Sequence, residues 1–441
     1  MEINIMRQAV IIIHGIGEQK PMDTLRSFVR NIVGGTIRNK PDKMSSLFEL
    51  RRLQIPSKHN QPLTDFYEYY WAHHMRDTKI RTLISWCRSL LFRKPSNVSD
   101  KLLVYYYIMW VLLLMIIPII YQAISSIFFE DNTDSLFLIT KTAFILLIDY
   151  NILRVAYGTI DDAARYLNPH PDNIVQRNKI REEGINLIDA LHKSKKYSRI
   201  VIVGHSLGSV IAYDLIRLYW SMSEMPKEYV SKKQDLLKQF SNNCADIFKD
   251  ENLSCNSKVN KYQELQLKIW KELRECNWPW LITDFITVGS PLTHSDMLLT
   301  KNKREFTDRK MEGEYPTSPP LSKHEIYYKL NYETDRGTRS LFTPTHFVPF
   351  ICTQWTNIYF PHNSLIKGDL VGGPLQRLFG EGIRDIPVGL SGLRGLLNSH
   401  TKYWQYSENQ HKIDNVQHPT NALKNSMKID CKRGKMTWPA P

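Results

Sequence analysis

Ser206 lies at the centre of the pentapeptide GHSLG, residues 204–208. A serine hydroxyl can act as a nucleophile when a sharp, strained turn between a strand and a helix exposes it. Small residues at Gly204 and Gly208 allow that strand and helix to pack closely. The residue types and their spacing therefore indicate acyl transfer, with Ser206 as the attacking group.

The residues on both sides of this turn favour a strand and a helix. Residues 200–203 are four consecutive apolar residues, and residues 209–213 have a helix-like apolar pattern. A pentapeptide of this kind also occurs by chance in ordinary turns, but a buried strand before it and an apolar helix after it favour the nucleophile. The start of such a helix directs N–H groups at an oxyanion beside the serine, which makes the N–H of Leu207 a candidate donor.

A first apolar run at residues 9–13 leads into His-Gly-Ile-Gly at residues 14–17. Together with the GHSLG turn, this segment resembles the α/β-hydrolase superfamily, in particular its lipases and esterases. The resemblance covers the chain outside its middle hydrophobic segment. It implies an α/β fold with a doubly wound, mostly parallel sheet, and an oxyanion loop in which the N–H of Ile16 or Gly17 faces the serine. An ordinary glycine turn is the alternative interpretation of this loop.

In that superfamily a carboxylate and then a histidine follow the serine in chain order. The resemblance places the acid at Asp369, in the segment GDLVGGP, and the base at His400, in HTKYW. The histidine would take the serine proton, and the carboxylate would fix its tautomer and stabilise the imidazolium. Asp385 also precedes His400 and remains an alternative acid. A turn aspartate without a catalytic role is the alternative interpretation of Asp369.

The middle of the chain is strongly hydrophobic. Residues 102–129 contain no charged side chain over 28 positions, and roughly 20 apolar residues are enough to cross a bilayer. A buried helix of a globular domain is the alternative, but such helices are seldom apolar on every side over this length. Residues 135–160 are also apolar, although three charged residues in them are costly at the centre of a bilayer. We predict an inserted transmembrane helical hairpin at residues 102–160.

The order of the segments sets the expected topology. Residues 14–17 precede the hydrophobic segments and Ser206 follows them, so a shared site requires an even number of crossings. The connection at residues 130–134 is acidic and the flank before the first segment is basic. By the positive-inside rule, we expect a multi-pass membrane protein with two crossings and its hydrolase domain facing the cytoplasm.

The charge balance and the remaining motifs limit the partners. The 441 residues carry a formal net charge of +14 and are 42% hydrophobic. No nucleic-acid-binding motif accompanies this charge, so we expect an anionic bilayer surface rather than nucleic acid, contacted by the basic, aromatic residues 74–101. The six cysteines show no disulfide framework, and metal-binding and nucleotide-binding motifs are absent from the sequence. The sequence therefore implies no cofactor and no metal, and leaves the oligomeric state undetermined.

Further elements are expected along the chain. Strand patterns occur at residues 48–55, 65–72, 284–288 and 355–360, and a helical pattern at 173–191. Residues 221–277 are polar and lysine-rich and end in an amphipathic pattern, which predicts a solvated helical insertion or, alternatively, a lid. Residues 301–325 are charged and contain prolines, which predicts a long loop.

These features divide the chain into four parts: an N-terminal part of the hydrolase domain (1–101), the membrane hairpin (102–160), the main hydrolase part (161–410) and a C-terminal tail (411–441). The expected function is that of a membrane-anchored serine hydrolase that cleaves an acyl ester, with a lipid as one class of substrate. The alternative is a catalytically silent protein of the same fold that binds a partner, because a fold alone does not determine an activity.

Overall fold

The computed structural model describes residues 6–16, 20–33, 35–57, 62–75, 88, 90–104, 106–107, 110–111, 114, 166–168, 171–223, 234–334, 337–362, 368–390, 399–405 and 417–429. Within these ranges, no helix has both the length and the apolar character needed to span a membrane. Most of the predicted hairpin at residues 102–160 lies outside the described residues.

The described residues form ten strands: β1 (Arg7–Ile13), β2 (Arg38–Pro41), β3 (Arg51–Ile55), β4 (Leu63–Tyr69), β5 (Arg199–His205), β6 (Ile282–Val288), β7 (Tyr327–Thr334), β8 (Gly337–Pro344), β9 (Gln354–Tyr359) and β10 (Arg384–Pro387). Eight of them make one sheet in the order β10-β9-β6-β5-β1-β4-β3-β2, while β7 and β8 form a separate hairpin. The six strands from β10 to β4 are parallel, and β3 and β2 join the edge antiparallel. This architecture confirms the predicted α/β class with a mostly parallel sheet.

The described helices are α1 (Asp23–Ile32), α2 (Pro171–Lys193), α3 (Leu207–Ser221), α4 (Asp235–Lys238), α5 (Phe240–Lys249), α6 (Cys255–Glu275), α7 (Ser295–Leu298), α8 (Lys303–Met311), α9 (Gln376–Phe379) and α10 (Pro419–Ser426). They lie on both faces of the sheet. Helices α2, α3 and α6 pack on one face, and α1 and α10 pack on the other.

The apolar run of β1 explains this two-sided packing. Side chains of successive strand residues point to opposite faces, and here Ile11 and Ile13 join the core under α2, α3 and α6 while Val10 and Ile12 join the core under α1 and α10. Parallel strands covered by helices on both faces are apolar throughout for this reason. The strand is therefore apolar at every position from Ala9 to Ile13, all of which are buried.

The predicted strands and the helix predicted at residues 173–191 are present with shifted ends. The pattern at residues 65–72 corresponds to β4, which pairs with β1 in parallel, and the pattern at 48–55 corresponds to β3, which pairs with β4 rather than with β1. The patterns at 284–288 and 355–360 correspond to β6 and β9, and the helix expected at 173–191 is α2.

The prediction of a solvated insertion at residues 221–277 is wrong over its second half. Helix α6 buries Ile269, Trp270 and Leu273, each 1% exposed or less. The side chain of Gln266 donates hydrogen bonds to the carbonyl groups of Phe350 (2.7 Å) and Thr353 (2.9 Å). The amphipathic pattern thus marks a helix that packs on the domain core, because its apolar face has a partner surface.

The prediction of a long loop at residues 301–325 is also wrong over α8. Asn302 caps this helix by accepting a hydrogen bond from the N–H of Glu305 at 2.9 Å. Glu305 and Arg309 form an ion pair one turn apart at 2.7 Å, and Phe306 anchors the helix with 1% exposure. The helix has one buried apolar residue, so the sequence shows no helical periodicity there.

Candidate active site

The turn after β5 holds Ser206 in a strained conformation. Ser206 has φ 51° and ψ −129°, and α3 begins at the next residue. A Cβ atom at Gly204 would lie 2.5 Å from the Cα of Ser209, and one at Gly208 would lie 2.3 Å from the carbonyl oxygen of Ile13. Only glycine fits at these two positions, so the spacing of the motif is a steric requirement of this turn.

His400 reaches this serine from the other end of the chain. Its Nε2 lies 2.8 Å from the Oγ of Ser206. The ring belongs to a 3₁₀ turn, Ser399–Thr401, and the carbonyl oxygen of His400 accepts a hydrogen bond from the Nε2 of His205 at 2.9 Å. His205, inside the GHSLG motif, therefore positions the turn that carries His400. Burial lowers the pKa of His205 to about 3, so this ring is a neutral donor at pH 7.

Asp369 lies on the far side of the His400 ring. The Nδ1 of His400 is 2.9 Å from Oδ2 and 3.1 Å from Oδ1 of this carboxyl group, whose side chain is fully buried. The N–H of Val371 donates to Oδ1 at 2.9 Å. With its proton on Nδ1, His400 donates to the carboxylate and leaves Nε2 free to accept from the Ser206 hydroxyl.

The carboxylate of Asp369 stays ionised despite its burial. Burial by itself would raise its pKa, but the hydrogen bond and the charge of His400, with a hydrogen bond from Tyr403, outweigh this, and the pKa falls to about 2. At pH 7 the site therefore holds a negative charge next to Nδ1. Such a charge stabilises the imidazolium that forms when His400 accepts a proton.

Tyr403 is a fourth member of this group that the sequence reasoning missed. Its hydroxyl donates to Oδ2 of Asp369 at 2.7 Å and accepts from the N–H of Phe360 at 3.1 Å. The ring is fully buried. The signal in the sequence is its position three residues after His400, in the segment HTKYW.

Gly289 is a second residue that the sequence reasoning missed. It follows β6 and has φ 55°, a conformation that favours glycine. A Cβ atom there would lie 2.6 Å from the ring of Tyr403 and 2.9 Å from Oδ2 of Asp369. The position is thus kept free of a side chain so that the acid and the tyrosine can approach the end of β6.

Asp385, the alternative acid, lies in a different network. It belongs to β10, accepts from the Nδ2 of Asn357 at 2.7 Å, and also accepts from the backbone N–H groups of Leu375 and Gln376. Burial raises its pKa. These contacts of Asp385 order the segment after Gly373. Of the two aspartates, Asp369 is the one that contacts His400.

The candidate oxyanion loop lies against the serine. A Cβ atom at Gly15 would lie 2.8 Å from the Cβ of Ser206, so the loop after β1 passes directly beside the nucleophile. Ile16 packs against the core. Gly17 lies outside the residues that the structure describes. Leu207 is the first residue of α3, and N–H groups at this position have no acceptor within the helix. The structure thus places the loop at Gly15 beside Ser206, with Leu207 the next residue after the serine.

His14 supports this loop from below. Its ring stacks on Trp71 with centroids 5.0 Å apart, and the Nε1 of Trp71 donates to the carbonyl oxygen of His14 at 2.9 Å. Burial lowers the pKa of His14 to about 4, so the ring is neutral at pH 7. The loop is therefore held by packing and by a hydrogen bond to its backbone.

Among the described residues, one group of metal-ligand side chains lies close together, namely His73, His74 and Glu183. It includes none of the residues around Ser206. Comparison of the chain with protein-family models, with curated proteins and with solved structures finds no match.

Proposed function

We propose that the chain is a serine hydrolase of the α/β-hydrolase type that cleaves an acyl ester through an acyl-enzyme. The observation that carries this proposal is the hydrogen-bonded series from Ser206 to His400 (2.8 Å) and from His400 to Asp369 (2.9 Å). A nucleophile, a base and a carboxylate in this order are the arrangement that activates a serine hydroxyl.

In the first half of the reaction, the Oγ of Ser206 attacks the ester carbonyl carbon while the Nε2 of His400 takes the hydroxyl proton. The carbonyl oxygen becomes an oxyanion, which the N–H of Leu207 and the N–H of Ile16 or Gly17 stabilise. His400 then gives its proton to the leaving alkoxide, the carbon–oxygen bond breaks, and the alcohol departs. In the second half, water attacks the acyl-enzyme while His400 takes one of its protons, the bond between the acyl carbon and the Oγ of Ser206 breaks, His400 returns the proton to that oxygen, and the acid is released.

Asp369 acts through His400. Its charge stabilises the imidazolium, and its hydrogen bond keeps the proton of the neutral ring on Nδ1. The full burial of the carboxylate strengthens this interaction because solvent does not screen it. Tyr403 is a positioning residue, since it touches the carboxylate and not the serine.

The membrane part of the proposal is supported by the sequence of residues 102–160 and by exposed apolar side chains before this segment and in its first turns. Phe92 is 70% exposed, and Val111 and Leu114 are at least 50% exposed. Exposed apolar side chains beside basic residues suit a bilayer surface with anionic lipids. We propose two crossings, a hydrolase domain facing the cytoplasm, and an acyl ester held at the bilayer, such as a lipid, as the substrate.

The decisive experiment is labelling of the full-length, detergent-solubilised chain with a fluorophosphonate probe. We expect one labelled site, which Ser206→Ala abolishes while the circular dichroism spectrum stays unchanged. Ser221→Ala is the matched control, because this serine is exposed at the end of the same helix α3. Labelling that persists in Ser206→Ala would refute the nucleophile. A wild-type chain that neither labels nor hydrolyses short-chain esters would instead favour the catalytically silent binding protein.

The topology is tested separately with single cysteines in a chain whose own cysteines are replaced. A cysteine at Asn132, in the connection between the two hydrophobic segments, should react with an impermeant reagent added outside intact cells. A cysteine at the exposed Glu49 should react only after the cells are opened. The reverse pattern would contradict the cytoplasmic orientation and leave the hydrolase proposal intact.

A further inference from the structure

Two histidines and a glutamate meet at a point outside the catalytic group. His73 and His74 lie on the 3₁₀ turn Ala72–Met75, which follows β4, and Glu183 lies in the middle of α2. Their ligand atoms all lie within 4.8 Å of one another. Two imidazoles and one carboxylate form a set of donors that binds Zn²⁺ in proteins. We propose that these three residues form a Zn²⁺ site with three protein ligands.

The distances suit such an ion. Zinc binds imidazole nitrogen at about 2.0–2.1 Å and carboxylate oxygen at about 2.0–2.2 Å, so two ligand atoms of a tetrahedral site lie about 3.3–3.5 Å apart. The Nε2 of His73 lies 3.4 Å from the Oε2 of Glu183. The Nε2 of His74 lies 2.7 Å from the same oxygen, as a direct hydrogen bond. That pair opens by less than about 1 Å when an ion enters, within the soft end torsions of both side chains.

The surroundings hold the ligands in place and leave room for an ion. The ring of His73 stacks on Tyr70 with an interplanar angle of 13°, and the hydroxyl of Ser46 donates to the Oε1 of Glu183 at 3.1 Å. In metal sites, contacts from neighbouring residues that do not bind the metal hold the ligand side chains in their orientation. A cavity of about 320 Å³, lined in part by His74, Glu183 and Ser46, adjoins the cluster, so water can complete the coordination.

The position in the chain indicates what the ion does. His73 and His74 lie on the turn that directly precedes residue 76 in the chain, and Glu183 belongs to the helix that follows the predicted membrane hairpin. The ion would join residues 109 positions apart. A link that closes a long loop removes entropy from the unfolded chain, so it stabilises the folded state. An ion at this site would link the two chain segments that precede and follow residues 76–165.

The same turn adjoins the candidate oxyanion loop. Trp71, two residues before His73, donates to the carbonyl oxygen of His14 at 2.9 Å. The ring of Tyr70 lies between the rings of His73 and His14, at centroid distances of 5.7 Å and 5.4 Å. An ion bound at His73 would stabilise the turn that supports the candidate oxyanion loop. The metal proposal does not depend on the hydrolase proposal.

The test is calorimetric titration of the full-length chain in detergent with Zn²⁺, after removal of the affinity tag and of bound metal with a chelator. We expect one ion per chain with an affinity that His73→Asn and Glu183→Gln each lower on the order of a hundredfold, since loss of a mere supporting contact already costs about 10–100-fold. The control His346→Asn changes an exposed histidine on the turn after β8 and should leave the affinity unchanged. Zinc should also raise the unfolding temperature of the wild type and of the control, and of neither ligand variant.

In the zinc titration, the proposal is overturned by a wild-type chain that binds no zinc, or by wild-type affinity retained in both ligand variants, which would place the ion elsewhere. If His73→Asn does not fold, Glu183→Gln decides alone, because it keeps the size of the side chain and removes its charge. Substitution of Co²⁺ in the wild type gives a separate signal. A spectrum typical of tetrahedral Co²⁺ supports the site, and an octahedral spectrum contradicts it.

Discussion

Removal of the Tyr403 hydroxyl group tests how the charge of Asp369 is stabilised, without removal of a catalytic residue. The hydroxyl group donates to Oδ2 of Asp369 at 2.7 Å and accepts from the N–H of Phe360 at 3.1 Å, on a fully buried ring. Tyr403→Phe removes the hydroxyl and keeps the ring. The contact of His400 with the carboxylate is preserved in this variant.

The effect on rate follows from the energy of one hydrogen bond to a charged group, about 1.5–3 kcal/mol. One pKa unit corresponds to about 1.4 kcal/mol, so the pKa of Asp369 should rise from about 2 to about 3–4. The carboxylate remains ionised at pH 7 and still faces His400. Acylation should therefore slow less than about tenfold, in contrast to the loss of the charge itself.

The effect on stability should be larger. The variant loses the bond to the carboxylate and leaves the N–H of Phe360 without this acceptor, which together lower the free energy of unfolding by about 2.5–6 kcal/mol at pH 7. The folded-state pKa of Asp369 is below its unfolded value of about 3.9, so its ionised form stabilises the fold above pH about 4, and this contribution is lost as the pH falls toward about 2. Because the variant has a smaller depression, the difference between the two proteins should shrink from pH 7 to pH 3.

The assay combines urea unfolding, followed by tryptophan fluorescence at pH 7 and pH 3, with the rate of fluorophosphonate acylation at pH 7. Tyr106→Phe is the control, because that hydroxyl donates to the backbone carbonyl groups of Leu91 and Arg93, away from Ser206. A loss of acylation of a hundredfold or more at unchanged stability would refute the reasoning, since Tyr403 would then act on the reaction itself. If the difference in free energy of unfolding between wild type and Tyr403→Phe does not shrink at pH 3, the variant does not act through the carboxylate of Asp369.

Three further predictions concern the site and its support. Asp369→Asn should slow acylation by about two to four orders of magnitude and add little in a His400→Ala background, because the two residues act as a unit, whereas Asp385→Asn should cost less than about tenfold. Gly289→Ala should slow acylation about a hundredfold, since its methyl group would displace the acid by a sizeable part of 1 Å. Trp270→Ala should lower the free energy of unfolding by about 3–5 kcal/mol, because the ring is 1% exposed.

Each of these has a contrary result and a measurement. If Asp385→Asn slowed acylation strongly, and added little in a His400→Ala background, Asp385 would be the acid. For the glycine, Gly313→Ala is matched, since it also has positive φ (82°) but contacts Phe347; equal losses of acylation in both variants would refute a local effect. For the tryptophan, a change in urea unfolding below about 1 kcal/mol would show that α6 does not belong to the cooperative core.

The sequence by itself determined the turn at Ser206 and the α/β class. Residues 199–213 form strand, turn and helix without a break, so the two glycines and the apolar runs carry the whole local geometry. The same is true of β1, whose five apolar residues indicate a strand buried on both faces. The sequence predicts these features because the interacting residues are neighbours in the chain.

The partners of Ser206 were decided by the tertiary structure. His400 is 194 residues from the serine and 31 from Asp369, so chain order alone allowed either Asp369 or Asp385, and the resemblance to α/β-hydrolases was what favoured Asp369. Only the approach of the loop after β9 to the end of β6, allowed by Gly289, brings Asp369 to the histidine.

The packing of the helices was likewise invisible in the sequence. Helix α6 has an amphipathic pattern that suits a solvated arm as well as a core helix, and the difference is the surface formed by Phe350 and Thr353, which lie 84 and 87 residues after Gln266. The cluster of His73, His74 and Glu183 has the same origin, since 109 residues separate its two halves. Periodicity and motifs report on contacts within a segment, and burial against a distant segment is settled only when the chain folds.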